Sequence, residues 1–252
     1  MSNDSNPGDL SNSKAEPKAD LRTPILPGKG ASDYERYLRT DELLGLQKSA
    51  DELLHHDEMT FQVVHQSSEL LMKGCVHELE RGCAFILAGD YPKALRLLRR
   101  ANQMLDYPIS LLHVLETITP YEYQIIRGGL GHGSGLDSPG FLGLLHIAPR
   151  LGNAFFQQLG KSGLNVRQLY RRWQEFSGLH DVAEAMLDYD ERLQLFRYHH
   201  LKLAERIIGR GVIGTMGTPV EVLKQRQEHV FYKELWDVRN QITAEINEER
   251  GL

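Results

Sequence analysis

The sequence predicts an all-α fold, and three observations carry that prediction. Apolar residues recur three and four apart along most of the chain after residue 57, the period of one helix face. Helix-start residues stand where such stripes begin, most plainly in Thr119-Pro120-Tyr121-Glu122. There Thr caps, Pro takes the first helical position and Glu closes a capping box. Strand-like alternation is scarce, and no segment repeats.

In chain order, residues 1–30 are rich in Ser, Asn, Asp, Lys, Gly and Pro and offer almost nothing to bury. They read as a disordered tail ahead of a single helical domain, residues 31–252. Tyr34, Tyr37 and Leu38 then form an arm with apolar surface to place, and Thr40 or Asp41 can cap a helix through Leu43 and Leu44. A long helix is expected over 57–87, where Asp57 and Glu58 put negative charge in the first turn as the helix dipole favours. Another covers 91–117, interrupted at Pro108, which lacks the N–H of the helical ladder. The capped segment at Thr119 gives a short helix with Tyr123 and Arg127 four apart on one face. It ends in Gly128–Gly135, five glycines in eight residues, a loop whose backbone can approach a ligand closely. No Lys-Ser/Thr follows and no strand precedes it, so the phosphate-loop pattern is not met. Helices are expected over 140–160, 165–176 and 179–208. A second glycine loop, 209–219, leads into a last helix ending near residue 248.

Hydrophobic content of 41% and charged content of 25% place the chain among ordinary globular proteins. The net charge of −5 and the lack of a dense Lys/Arg block argue against nucleic acid as a partner. No apolar run approaches a membrane span or a secretory core. Cys75 and Cys83 are eight apart on one expected helix, about 12 Å along its axis, too far for a disulfide. A reducing, cytoplasmic setting follows.

Two stripes carry chemistry. Leu193, Phe196, His200, Leu203 and Ile207 are spaced 3, 4, 3 and 4, an apolar face with one imidazole in its middle. Phe61, His65, Ser68, Met72 and Cys75 follow with 4, 3, 4 and 3. A lone imidazole on such a face is ordinarily a hydrogen-bonded core residue. It also suits a flat apolar cofactor holding an iron, which needs one proximal donor. Spacing alone leaves both open. No CxxCH motif is present, so any haem would be bound without covalent attachment.

Several motifs together narrow the choice. His55-His56-Asp57-Glu58-Met59, Phe61 and His65-Gln66-Ser67-Ser68-Glu69-Leu70 resemble the signature of the tryptophan 2,3-dioxygenase family. Leu115-Glu116-Thr117-Ile118-Thr119-Pro120 with Tyr123 and Arg127 is similar to a second motif of that family. Arg197-Tyr198-His199-His200 is similar to its haem-ligand motif, Gly214-Thr215 to the loop after it, and Tyr34 with Tyr37-Leu38-Arg39 to its arm. Order and approximate spacing hold from residue 34 to 240.

The resemblance implies a helical bundle enclosing a b-type haem, with O2 as co-substrate. Its expected reaction inserts oxygen at the indole C2–C3 bond of L-tryptophan or a substituted tryptophan. Two oxygens would give an N-formylkynurenine-type product, and one a hydroxylated or 2-oxindole product. By resemblance, His200 is the iron ligand and His65 the distal catalytic residue that accepts from the indole N–H. Phe61 walls the substrate ring, Arg127 and Tyr123 hold the carboxylate, and Thr215 helps with the ammonium and carboxylate. Ser134 and Gly135 lie beside the haem. Tyr34, Tyr37 and Leu38 would reach a neighbouring subunit, implying a homotetramer.

There are departures from the family pattern. The chain is several dozen residues short between Gly135 and Leu169-Tyr170, the Gly209–Thr215 loop is one residue longer, and His132 replaces a small or cyclic residue. They tilt the expectation toward a substituted tryptophan and one retained oxygen. Two further readings compete. Glu52-Leu53-Leu54-His55 is a Glu-x-x-His of the kind a carboxylate-bridged di-metal helical oxidase uses, although that site needs a second copy. A non-catalytic haem sensor would show the same stripes.

Overall fold

The structure is a computed structural model that describes residues 22–210 and 229–251. Every regular element among them is a helix, as the stripes predict. Gly214 and Thr215 lie outside the described residues. The chain divides into two compact units, meeting at Lys48 and Ser49.

The first unit holds α1 (Asp33–Leu38) and α2 (Thr40–Leu43). Its cap is Ser32, not Thr40 or Asp41. Ser32 accepts from the Glu35 amide, and the Glu35 side chain completes a capping box. Arg39, at φ 55°, separates the helices, so Thr40 opens α2 instead of capping it. Asp33 accepts from the amides of Ile25 and Leu26 at 2.9 and 2.7 Å, and Arg36 donates to the Leu26 and Gly30 carbonyls. The stretch from Ile25 is therefore tied to α1. Tyr34 and Tyr37 stay 70% and 77% exposed, and Leu38 45%; α1 buries none of its residues.

The second unit contains α3 (Asp57–Leu87), α4 (Tyr91–Leu115), α5 (Pro120–Gly128), α6 (Pro139–Lys161), α7 (Val166–Arg171), α8 (Ser177–Ile207) and α9 (Lys233–Arg250), with a 3-10 turn at Gly135–Asp137. Helix α3 packs along α4 and α6, and α4 packs along α8. Their facing stripes make the core: Leu79, Ile86, Leu98, Leu151, Phe155 and Met186 are fully buried. Helix α4 runs unbroken through Pro108. The proline is itself buried, so core packing offsets the single ladder bond it cannot make. The helix expected over 165–176 stops at Arg171, and residues 172–176 turn before α8. Asn165 and Gln168 form its capping box.

Polar clamps fix the bundle's register. Asn102 Nδ2 donates to the Ala185 carbonyl at 2.9 Å, joining α4 to α8. The buried Tyr189 and Tyr232 hydroxyls donate to the Leu144 and Ala148 carbonyls on α6 at 2.7 and 3.0 Å. Asp190, fully buried, accepts from the amides of Phe231 and Tyr232 and from Trp236 Nε1 at 2.9, 3.3 and 3.0 Å. One carboxyl oxygen thus seats the start of α9 on α8. Asp190→Ala leaves three N–H groups without that acceptor and should cost about 3 kcal/mol of stability, with Asp190→Asn milder. Urea denaturation of both variants checks this, and an unchanged midpoint in Asp190→Ala overturns it.

Candidate active site

The helical period brings the two imidazole stripes to one place. His65 on α3 and His200 on α8 border the same cavity. Its apolar wall comes from Val64, Met72, Leu112, Leu115, Phe141 and Phe196. Ser68, Glu69, Ser138 and Arg197 add polar atoms, and Gly135 and Leu136 of the 3-10 turn complete it. Met72 is buried and His65 opens to the cavity on the same stripe of α3; Leu193, Leu203 and Ile207 are likewise buried around His200 on α8.

Burial, with the His65 ring opposing a second positive charge, pushes the His200 imidazole down to about 4. At neutral pH it is an uncharged base with a lone pair to offer. No described residue hydrogen-bonds its ring, and Phe196 stacks on it at 6.1 Å with an interplanar angle of 12°. A Cβ built on Gly135 would stand 3.1 Å from His200 Nε2, so any larger residue at 135 would crowd that nitrogen. An uncharged imidazole, apolar walls, a wall cation in Arg197 and a side-chain-free approach at Gly135 together fit a haem.

His65 is held differently. Its Nδ1 lies 2.7 Å from the Phe61 carbonyl oxygen. A carbonyl can only accept, so Nδ1 carries the proton and Nε2 keeps the lone pair. Burial lowers the His65 pKa, against the opposing pull of the Phe61 carbonyl and the Glu69 carboxylate. The ring is therefore a fixed neutral acceptor. Phe61 lies against it with centroids 4.1 Å apart, and Tyr123 is 6.2 Å from Phe61.

Phe61 and Tyr123 do not wall the cavity itself. They share a small hydrophobic cluster with its Val64, Leu112 and Leu115. Burial raises the Tyr123 phenol, and the charge of Arg127, one turn on, pulls it back. Helix α5 fixes both residues through the predicted Thr119–Glu122 capping box. Ser134 caps the 3-10 turn by accepting from the Leu136 amide at 3.2 Å, while Gly135 enters the wall. His199 turns away, its ring meeting His113 at 5.0 Å. Tyr34, Tyr37 and Leu38 belong to the first unit. Among the described residues no three His, Cys, Asp or Glu side chains gather as a metal cluster requires, and Glu52 and His55 precede α3 instead of sharing a helix.

Several wall residues are not marked by the sequence, among them Val64, Leu112, Leu136 and Phe141. Glu69 stands inside a family motif without a role of its own, and Ser138-Pro139 is a cap-and-proline start two residues ahead of the expected helix. Glu69 accepts from the Ser138 hydroxyl and from the Gly140 amide, a pairing across about seventy residues that no periodicity reports.

Residues 23–153 match the family model described as tryptophan 2,3-dioxygenase. A tryptophan 2,3-dioxygenase of Bacillus anthracis is 31% identical over 260 positions, covering 83% of this chain and 92% of the relative. One from Kineococcus radiotolerans is 31% identical, covering 83% and 91%. One from Myxococcus xanthus is 29% identical, covering 90% and 95%.

The low His200 value has a measurable consequence. The unfolded chain takes a proton on this residue near its ordinary value of 6.5, whereas the folded apoprotein resists until about 4. Stability from this group is full above pH 6.5 and is lost as pH falls toward 4. Between pH 7 and 5 the apoprotein should lose about 2 kcal/mol that His200→Gln does not lose. Urea unfolding at the two pH values tests this; equal pH slopes would count against an enclosed neutral His200.

Proposed function

The chain belongs to the tryptophan 2,3-dioxygenase family and is a haem-dependent oxygenase, and from that premise we propose that it oxidises the indole C2–C3 bond of L-tryptophan or a substituted tryptophan. The observation that carries this is the pair of neutral imidazoles on one apolar cavity, with the proton of His65 fixed on Nδ1. His200 would hold the iron of haem b, the apolar wall would take the macrocycle, and Arg197 would face an acidic edge. When bound, haem supplies the activation of O2.

The chain's own groups do the rest. His65 Nε2 accepts the indole N–H and so orients the ring without needing to remove its proton. Phe61 packs on the His65 ring with Tyr123 behind it, so the two bear on the indole through that ring and not as cavity wall. Arg127 pairs with the substrate carboxylate, for which its planar fork is suited, with Thr215 assisting. Holding the two reactants in one pose is the main kinetic contribution of such residues. We further propose that residues 31–252 act as one catalytic domain behind an N-terminal tail. In a homotetramer the exposed Tyr34, Tyr37 and Leu38 would close a neighbouring subunit's site. A cytoplasmic setting goes with this reading; among the described residues no helix is long and apolar enough to cross a membrane.

One observation favours the alternative outcome of a single retained oxygen on a substituted tryptophan. The alignment with the Bacillus anthracis relative runs over 260 positions yet uses only 83% of this 252-residue chain. The relative therefore has residues in that span that this chain lacks, and we place them between Gly135 and Tyr170 on motif spacing. Less covering chain over the site would admit a bulkier guest.

Turnover with labelled O2 on L-tryptophan and on β-methyl- and ring-substituted tryptophans, read by mass spectrometry, decides between the outcomes. Two labelled atoms in an opened ring support dioxygenation, one in a closed ring supports the alternative, and no oxygenated product from any of them overturns both. Arg127→Ala should raise KM about tenfold or more, with a smaller fall in kcat, while the haem spectrum stays near wild type. Spectral loss in that variant would remove its assigned role. His200→Ala should abolish the Soret band of the reconstituted protein.

A further inference from the structure

Glu69 is a cavity-wall carboxylate that the proposed reaction leaves without a task. It sits one turn after His65 on the same face of α3. One carboxylate oxygen accepts the Ser138 hydroxyl, and the other accepts the Gly140 amide at 2.7 Å. Ser138 is the N-cap of α6, and its oxygen also accepts from the Phe141 amide at 3.0 Å. The hydroxyl therefore has its proton directed at Glu69 and a lone pair directed at the helix. Gly140 permits the approach, since a Cβ there would lie 2.6 Å from the Glu69 carboxylate and 2.9 Å from Met72 Cβ. Just upstream, Gly135 faces His200 Nε2. The chain from Gly135 to Gly140 thus spans from the proximal imidazole to the helix that carries the distal one.

We infer that Glu69 is a positioning residue, clasping the Gly135–Gly140 segment to the helix of His65 and so setting the gap in front of His200 that the cofactor's plane would enter. The inference rests on the haem reading for its consequence, but the clasp itself belongs to the chain alone. Glu69 touches no reacting atom in this account. It acts through Ser138, Gly140 and the turn they anchor. A carboxylate at the first turn of α6 is also favoured by the helix dipole, so the clasp holds α6 and the turn with one group.

Two measurements test it on the full-length chain. In the apoprotein, hydrogen exchange at the Gly140 amide should quicken about tenfold or more in Glu69→Ala while the core of α4 and α8 keeps its protection. In reconstitution with hemin, Glu69→Ala should weaken affinity about tenfold, the scale of one lost charge-assisted bond. Glu69→Gln should stay within about threefold, because its amide can still accept from Gly140 and donate to the Ser138 oxygen. Glu69→Ala and Ser138→Ala act through one clasp, so the double variant should lose less than the product of the two single losses. Unchanged exchange at Gly140, wild-type hemin affinity in Glu69→Ala, failure of Glu69→Gln to rescue, or fully multiplying losses each overturn the inference. Should the wild type take up no hemin at all, the haem reading falls, while exchange at Gly140 still decides the clasp.

Discussion

An imidazole can serve as a metal ligand only while the nitrogen it offers carries no proton, and water near neutral pH is a poor guarantor of that. The structure supplies the guarantee by enclosure. His200 sits on an apolar stripe of α8, faces a cavity walled by leucines and phenylalanines, and has a second imidazole across from it. Desolvation and the neighbouring ring both disfavour the cation. His65 reaches the same neutral state by a different route, through a carbonyl that takes its one N–H and leaves Nε2 to accept. The two rings are alike in charge and differ in how that charge state is secured, and in the proposed function one would hold iron and the other would accept a guest's N–H.

That arrangement depends on how α3 and α8 are held apart, because they are not each other's main packing partners. Helix α4 lies between them, packed along α3 on one side and α8 on the other. Asn102 locks α4 to α8 from the inside, and Gly82 lets Leu98 of α4 come close against α3. The second route between the walls is α6, fixed to α8 through Tyr189 and to α3 through Gln158, whose amide donates to the Leu87 carbonyl at 2.7 Å. The cavity opens beside α4 and the start of α6, where Leu112, Leu115 and Phe141 line it. A shift in either path would change the separation of the two imidazoles before it touched any residue of the site.

What the sequence made legible follows from what local periodicity can encode. Spacings of three and four placed His65 and His200 on inward faces because a helix surface repeats at that interval. The Thr119-Pro120-Tyr121-Glu122 cap placed Tyr123 and Arg127 because a capping box is wholly local. Local rules also misled. Pro108 reads as a break, yet its ring is buried in a helix that tertiary packing keeps whole. Thr40 and Asp41 read as caps, but the capping box belongs to Ser32 and Glu35, the same kind of signal eight residues earlier. The pairing of Glu69 with Ser138 and Gly140, and that of Asp190 with Trp236, were out of reach, since only the folded bundle brings such distant positions together. The family motifs supplied what periodicity could not, a reason to prefer iron over a hydrogen-bonded core for His200.

Selectivity in such a cavity resides in the polar atoms that the protein has not already satisfied. Glu69 spends both oxygens on Ser138 and Gly140, and Ser68 donates to the Val64 carbonyl at 2.8 Å. Arg197 commits Nε to the Leu193 carbonyl and one terminal nitrogen to the His229 carbonyl. The capacity left among these wall residues is on the imidazoles and part of the Arg197 fork, beside spare acceptor lone pairs on Glu69 and Ser68. A polar guest with many donors would find most partners taken and would forfeit its hydration for little return. A broad apolar ring system that takes one nitrogen donor, and an indole presenting one N–H, would meet little competition here, while a guest's charged groups would need partners outside this wall. The same wall that keeps His200 unprotonated therefore also sorts what can come to it.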